Sequence, residues 1–122
     1  MVHRLPGAMQ KHNPKLIIIL GGTNDLGMHH PTENIIRSVT RLHEIALRSG
    51  KGTTEPTYTI AMTLPQLTWS VDENDRLEIN KGIREYAQRC KQRVAFLEME
   101  NRFDQKNKSN LVYWSPDTVH FR

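Results

Sequence analysis

The feature that most limits the possible folds of this chain is an uninterrupted aliphatic run, Leu-Ile-Ile-Ile-Leu, at residues 16–20. An apolar run without polar alternation predicts a strand that is buried on both faces, as in the middle of a parallel sheet. Glycines follow at positions 21 and 22, and they allow the chain to turn sharply where a side chain would clash. Thr23, Asn24 and Asp25 should therefore lie at the carboxyl end of a central strand, where open α/β sheets hold their ligand sites.

The remainder of the chain alternates between helical and extended patterns. Apolar residues recur at helical spacing in three segments and alternate with polar residues in another. The expected helices cover residues 2–12, 32–50 and 70–90, and the expected strands cover residues 15–20, 57–63 and 94–97. The order α-β-α-β-α-β predicts an α/β fold with a parallel sheet and right-handed crossovers.

A second polar motif, Ser-Pro-Asp-Thr-Val-His, occupies residues 115–120. Its Asp117 and His120 resemble the Asp-x-x-His block of the SGNH (GDSL-type) ester hydrolases. Residues 22–25, Gly-Thr-Asn-Asp, resemble the Gly-x-Asn-Asp block of the same family. The two motifs occur in the family's order, with α/β patterning between them. The resemblance covers nearly the whole chain, and it implies the three-layer α/β/α, flavodoxin-like fold of that family.

The resemblance extends to only the later part of the family's domain. The Gly-Asp-Ser block, which holds the nucleophilic serine, has no counterpart in this sequence. The second block, whose glycine donates a backbone N–H, has none either. Both would lie before residue 1, so we expect residues 1–122 to form a truncated, partial SGNH domain. In the family's strand order the missing first strand lies beside residues 16–20, and the unpaired edge expected there favours self-association.

The resemblance also implies a role for each motif residue. Ester hydrolysis needs a nucleophile, a base, a group that orients the base, and donors for the oxyanion. By resemblance, His120 is the general base and Asp117 orients its imidazole, whose ordinary pKa of about 6.5 suits proton transfer at neutral pH. Asn24 would donate a side-chain N–H to the oxyanion, Gly22 would allow close approach of the substrate, and Asp25 would stabilise the turn. The expected substrate is a small-molecule ester or a lipid, and no cofactor or metal is expected.

The five serines of the chain do not replace the missing nucleophile. Ser38 and Ser49 fall in, or at the end of, a predicted helix. Ser70 opens a capping box, Ser-Val-Asp-Glu, at the start of the last helix. Ser109 lies in a polar loop, and Ser115 has no strand-to-helix turn or glycine neighbour to expose it. We therefore expect that the chain alone does not hydrolyse esters.

Each motif also has an interpretation without catalysis. Asn24 and Asp25 could form only a turn, and His120 could be an ordinary surface histidine. A non-catalytic α/β module that binds a ligand or partner in the same cleft is therefore the alternative function. His29 and His30 could suggest metal binding, but the sequence places no third ligand, so exposed loop histidines are expected.

Charge and composition narrow the functional classes further. The formal net charge is +4, but the basic residues are scattered and no aromatic residues interleave with them, so nucleic acid is not an expected partner. A weak, charge-driven nucleic-acid binder is the third hypothesis. The single cysteine, Cys90, excludes an internal disulfide and should lie on the apolar face of a helix. No segment is long enough to span a membrane, and without a signal peptide in this sequence the cytoplasm is the default compartment.

Two further residues are interpreted from their positions. Asn80 lies inside the last predicted helix, where asparagine is a poor helix former. Residues 76–84 resemble a recurrent helix of the family, and we expect Asn80 to bond backbone groups at the sheet edge. Trp69 lies in a loop at the same edge as Asn24, where it should cover the core or, alternatively, line a substrate pocket.

Overall fold

The computed structural model describes residues 1–49, 55–66 and 72–102. In chain order these residues form α1 (Leu5–His12), β1 (Leu16–Ile19), α2 (Thr23–Gly27), α3 (Thr32–Ser49), β2 (Tyr58–Met62), α4 (Glu73–Arg89) and β3 (Val94–Leu97). The strands pair in the order β1-β2-β3 and run parallel, which confirms the expected parallel sheet. The short helix α2 is an addition that the sequence pattern does not predict. None of the helices described here is long and apolar enough to cross a bilayer.

One face of the sheet carries the core. Paired residues of neighbouring parallel strands, such as Ile19 with Ala61 and Thr59 with Val94, point to the same face. These four side chains are at most 6% exposed because α3 and α4 pack on this face. The helices contribute an apolar stripe to the same core: Ile35 and Val39 from α3, and Ile79, Ile83 and Ala87 from α4.

The opposite face of the sheet is apolar and, within the described ranges, uncovered. Leu16 is 54% exposed, Ile18 is 60% exposed and Tyr58 is 46% exposed. The prediction that residues 16–20 are buried on both faces is therefore wrong for the described structure, because no layer of the described ranges covers the face that carries Leu16 and Ile18. Among the described strands, β1 pairs only with β2, so its outer edge is unpaired, as expected.

Helix α4 begins three residues later than expected and uses a different cap. Asp72, rather than Ser70, is the N-cap, and its carboxylate accepts a hydrogen bond from the backbone N–H of Asn74 at 2.8 Å. Glu73 and Asp75 place negative charge in the first turn, where the helix dipole favours it. At the other end, Cys90 is half-buried against the core, in agreement with its expected place on the apolar side.

Candidate active site

The first motif lies in a sharp turn directly after β1. Gly22 has a φ of +102°, in the left-handed region that glycine adopts without strain. A Cβ atom at this position would lie 2.8 Å from Cγ2 of Ile35 in α3. The carbonyl of Gly22 accepts a hydrogen bond from the N–H of Leu26 at 2.9 Å, which closes the first turn of α2. Backbone conformation and packing therefore both require glycine here.

This turn determines where Asn24 lies. Asn24 is the second residue of α2, and its neighbour Leu26 is only 1% exposed and anchors the helix in the core. Asn24 itself is exposed. Its side-chain amide forms no hydrogen bond with any residue that the structure describes. The amide is therefore available at the carboxyl end of β1 as a donor to a ligand.

Asp25 contacts the loop that follows α2. Its Oδ1 lies 3.5 Å from Nδ1 of His30, and its carbonyl accepts the N–H of His30 at 3.0 Å. Both side chains are about half exposed, so the pair contributes little to stability. His29 is exposed with a φ of +57°, so both histidines are exposed loop residues, as expected. Within the described ranges, no three His, Cys, Asp or Glu side chains form a group that could hold a metal ion.

A cavity of about 270 Å³ lies beside the glycine turn. Its lining includes Gly21 and Gly22, with polar side chains from His3, Asp25 and Ser38. Ser38 lies on the surface of α3, in agreement with its predicted helical position. Ser38 borders the cavity from the middle of a helix, and it lacks the strand-to-helix turn on which α/β-hydrolases expose a serine nucleophile.

The end of β2 forms a second part of this sheet edge, and Asn80 of α4 holds it. Oδ1 of Asn80 accepts the N–H of Leu64 at 2.6 Å, and its Nδ2 donates to the carbonyl of Leu64 at 3.0 Å. Asn80 is fully buried, and its Nδ2 also donates to Oε2 of Glu100 at 3.0 Å. The expected structural role of Asn80, bonding backbone groups at the sheet edge, is therefore confirmed.

Arg76 is a functional candidate that the sequence interpretation missed. It is 1% exposed, and its Nε and Nη2 bind the carboxylate of Glu73. Its Nη1 donates to the carbonyl of Leu64 at 2.9 Å and to the carbonyl of Glu100 at 3.2 Å. One signal was available: Arg76 precedes Asn80 by four residues, so both must lie on one face of α4.

A polar network joins the ends of β2 and β3. The carboxylate of Glu98 accepts hydrogen bonds from Oγ1 of Thr63 at 2.6 Å, the N–H of Glu100 at 2.9 Å and Nε of Arg84 at 2.9 Å. Burial opposes ionisation of Glu98, but these hydrogen bonds and the charge of Arg84 outweigh it and lower the pKa of the carboxyl group. The carboxyl edge of the sheet is therefore held by ionised, hydrogen-bonded groups.

The second motif is not part of the described structure. Asp117 and His120 lie outside the described residues, as do Trp69, Ser109 and Ser115. The structure therefore brings Gly22, Asn24 and Asp25 together after β1, and the approach of His120 to Asn24 stays a prediction.

Comparison with models of protein families shows the family to which the chain belongs. The model of the GDSL-like lipase/acylhydrolase family matches residues 1–122. The chain belongs to this family. The resemblance carried by the two motifs is thereby confirmed. A search of curated proteins found no match to this GDSL-like chain.

Solved structures similar to the GDSL-like chain share its fold. The carbohydrate acetylesterase Est24 from Sinorhizobium meliloti is 22% identical, with a TM-score of 0.66 over 80% of this chain and 52% of that one. The native aryl esterase of M. smegmatis is 23% identical, with a TM-score of 0.71 over 99% and 59% of the two chains. Its inhibitor-bound form is 19% identical, with a TM-score of 0.66 and the same coverage. The GDSL-like chain thus spans little more than half the length of these structures, and the expected α/β, flavodoxin-like fold is confirmed.

Proposed function

We propose that this chain forms the later part of a carboxylic-ester hydrolase and supplies part of its oxyanion site. The observation that carries the proposal is the turn at Gly22, which presents the exposed amide of Asn24 at the carboxyl end of β1. Membership of a family of lipases and acylhydrolases supports the same reaction class. Open α/β sheets bind their ligands at this edge.

In the proposed reaction, a nucleophilic oxygen attacks the ester carbonyl carbon, and negative charge develops on the carbonyl oxygen. Nδ2 of Asn24 donates a hydrogen bond to that oxygen. His120 takes the proton from the nucleophile and then gives it to the leaving alcohol, while Asp117 orients the imidazole. A water molecule that His120 deprotonates then attacks the acyl-enzyme, and the carboxylic acid leaves as the proton returns to the nucleophile. The roles of His120 and Asp117 rest on the family's Asp-x-x-His block.

The substrate we propose is a small-molecule ester. Two proteins of similar structure are a carbohydrate acetylesterase and an aryl esterase. The cavity beside the turn, about 270 Å³, is at the small end of ligand pockets and favours a short acyl group over a long lipid chain.

The 122-residue chain alone should not turn over an ester, because none of its serines has the sequence surroundings of the family's nucleophile. The measurement is the initial rate of 4-nitrophenyl acetate hydrolysis by the purified chain and by the His120→Ala variant. We expect both rates to equal that of buffer. Turnover that His120→Ala abolishes would contradict this, and a Ser38→Ala variant would then show whether the serine beside the cavity is the nucleophile.

The role of Asn24 is tested in a chimera in which the Gly-Asp-Ser segment of an aryl esterase precedes residue 1. We expect Asn24→Ala to lower kcat roughly a hundred- to a thousandfold with little change in KM, since an oxyanion donor acts in the transition state. The matched control is Asn34→Ala, which removes another exposed asparagine, on α3. Equal kcat values for the two variants would refute the role of Asn24.

The alternative function is a non-catalytic module that binds a ligand in the same cleft. It is favoured by one observation, namely that this sequence contains the Gly-Thr-Asn-Asp motif without a Gly-Asp-Ser block. A chimera that folds and binds a phosphonate ester analogue, yet shows no turnover, would favour this alternative over the hydrolase.

A further inference from the structure

Two side chains of α4 hold one residue at the end of β2. Arg76 and Asn80 both donate to the carbonyl of Leu64, at 2.9 Å and 3.0 Å, and Asn80 also accepts the N–H of Leu64 at 2.6 Å. We call these three residues the Leu64 clamp. Both backbone groups of Leu64 are thus bonded to side chains of one helix instead of to a neighbouring strand.

The clamp contains a charge where an apolar residue would suffice for packing. Arg76 is 1% exposed, and a buried guanidinium is tolerated only when its donors are satisfied. The carboxylate of Glu73 and the carbonyls of Leu64 and Glu100 satisfy them. A planar group with several fixed donors sets distances and angles that apolar contacts do not. The arrangement is therefore suited to positioning the backbone at Leu64.

Leu64 lies directly behind the turn that carries Asn24. Its side chain is fully buried in the same core cluster as Leu26 of α2 and Ile35 of α3. A Cβ atom placed on Gly22 would lie 3.9 Å from Cδ1 of Leu64. The side chain of Leu64 and helix α3 thus both border the space next to Gly22, within the core cluster that anchors α2 through Leu26.

We infer that Arg76 and Asn80 are positioning residues for the oxyanion site. They hold Leu64, and the Leu64 side chain supports the Gly22 turn and so sets the position of the Asn24 amide. The significance for catalysis rests on the proposed function of Asn24. The physical link from α4 to Asn24 does not depend on that function, and it can be measured without an activity assay.

The test is the side-chain NH₂ signal of Asn24 in nitrogen-15 NMR spectra of the 122-residue chain. We expect Asn80→Ala and Arg76→Lys to shift this signal together with the backbone amides of residues 22–26. The control is Arg93→Gln, which breaks bonds to the carbonyls of Thr57 and Leu47 and touches neither the clamp nor a hydrogen-bond partner of its side chains. We expect it to leave the Asn24 signal in place.

If the clamp variants do not fold, Leu64→Val provides the test, because it keeps the backbone bonds and shortens the side chain that packs with Leu26 and Ile35 in the core beside the turn. A folded Asn80→Ala or Leu64→Val protein with an unmoved Asn24 signal would overturn the inference. That result is expected if the clamp residues only stabilise the fold and do not position Asn24.

The chimera separates this inference from the proposed function. If both hold, Asn80→Ala lowers kcat roughly ten- to a hundredfold at unchanged KM, and adding it to Asn24→Ala lowers kcat no further. If Asn24→Ala leaves kcat unchanged while the NMR shifts are present, the proposed function fails and the positioning of the turn stands. If Asn24→Ala lowers kcat and the clamp variants do not, the function stands and the inference fails.

Discussion

At the scale of single residues, His43 on α3 carries a polar atom without a partner. The side chain is 1% exposed, and its Nδ1 lies 2.7 Å from Oγ1 of Thr59. Nε2 is buried and has no hydrogen-bond partner among the residues that the structure describes. The ring also packs at a tilt on Tyr86, with ring centroids 5.5 Å apart. Burial disfavours the imidazolium and lowers the pKa of His43 from 6.5 to about 4.

We expect acid to destabilise the chain through His43. Because the folded-state pKa lies below the unfolded-state value of 6.5, the unfolded chain binds the extra proton. The contribution is fully present above pH 6.5 and is lost as pH falls toward 4. The shift corresponds to a loss of about 3 kcal/mol at most. Urea unfolding at about pH 7.5 and about pH 4.5 should show a larger fall for the wild type than for His43→Asn. Equal falls would contradict this assignment.

Gly22 and His43 show which single residues the sequence can predict. Two glycines after an apolar run already indicate a tight turn, so the need for glycine is a local property. The burial of His43 depends on where α3 meets Thr59 of β2, sixteen residues further along the chain. No local pattern contains that information, and the same holds for Arg76, whose partners include Leu64 and Glu100.

At the scale of elements, local signals identified the strands and the long helices but not their surroundings. The aliphatic run at residues 16–20 predicted a strand correctly, whereas its burial depended on what lies beside it. Helix α2 has five residues, too few to show a helical period, and it forms because the Gly22 turn and the buried Leu26 hold it. At the start of α4, the sequence offers Ser70 and Asp72 as cap residues, and the carboxylate of Asp72 caps the helix.

The crossing of α3 and α4 gives a prediction at this scale. A Cβ atom on Gly82 would lie 2.7 Å from Cδ1 of Ile36 and 2.9 Å from both Cγ atoms, so a rotation about χ2 alone would not relieve the contact. Glycine to alanine inside a helix normally stabilises. Here we expect overpacking to dominate and Gly82→Ala to lower the free energy of unfolding by about 1–3 kcal/mol, measured by urea denaturation.

The matched control for Gly82 is Gly7→Ala in α1, where no atom lies within 4 Å of an added Cβ. This variant should be more stable than the wild type by about 0.5–1 kcal/mol. Gly82→Ala should cost less stability in an Ile36→Ala background than in the wild type, because alanine removes both Cγ atoms that the added methyl group would meet. If Gly82→Ala and Gly7→Ala both stabilise the protein, the interpretation of the helix crossing is wrong.

At the scale of the whole molecule, the alternation of elements was enough to predict the fold class, and two short motifs were enough to predict the family. The candidate site was predicted from the same motifs, but only the residues of the first, Gly22, Asn24 and Asp25, lie in the described structure. A motif specifies residue types and order, whereas the distance between its two parts depends on how the intervening chain packs. The convergence of Asn24 and His120 is therefore a property that sequence alone does not determine.

The exposed side of β1 leads to a prediction about assembly. Natural edge strands are usually protected by charges, prolines or bulges, but residues 16–20 contain no charge and no proline. Side chains of β1 also form part of the uncovered sheet face, where Ile18 is 60% exposed. An unpaired apolar edge beside an apolar face should bind a second copy of the chain, so we expect the 122-residue protein to self-associate.

Sedimentation velocity across a dilution series measures this self-association. We expect the wild type to shift toward larger species as concentration rises and Ile18→Lys to stay monomeric, because the lysine would bring a charge into the contact. The control is Leu77→Lys, which replaces another exposed aliphatic side chain, 40% exposed on α4, away from the sheet face. It should associate like the wild type, since only a contact through β1 distinguishes the two substitutions. A wild-type chain that is monomeric at every concentration would show that the edge of β1 is protected in some other way.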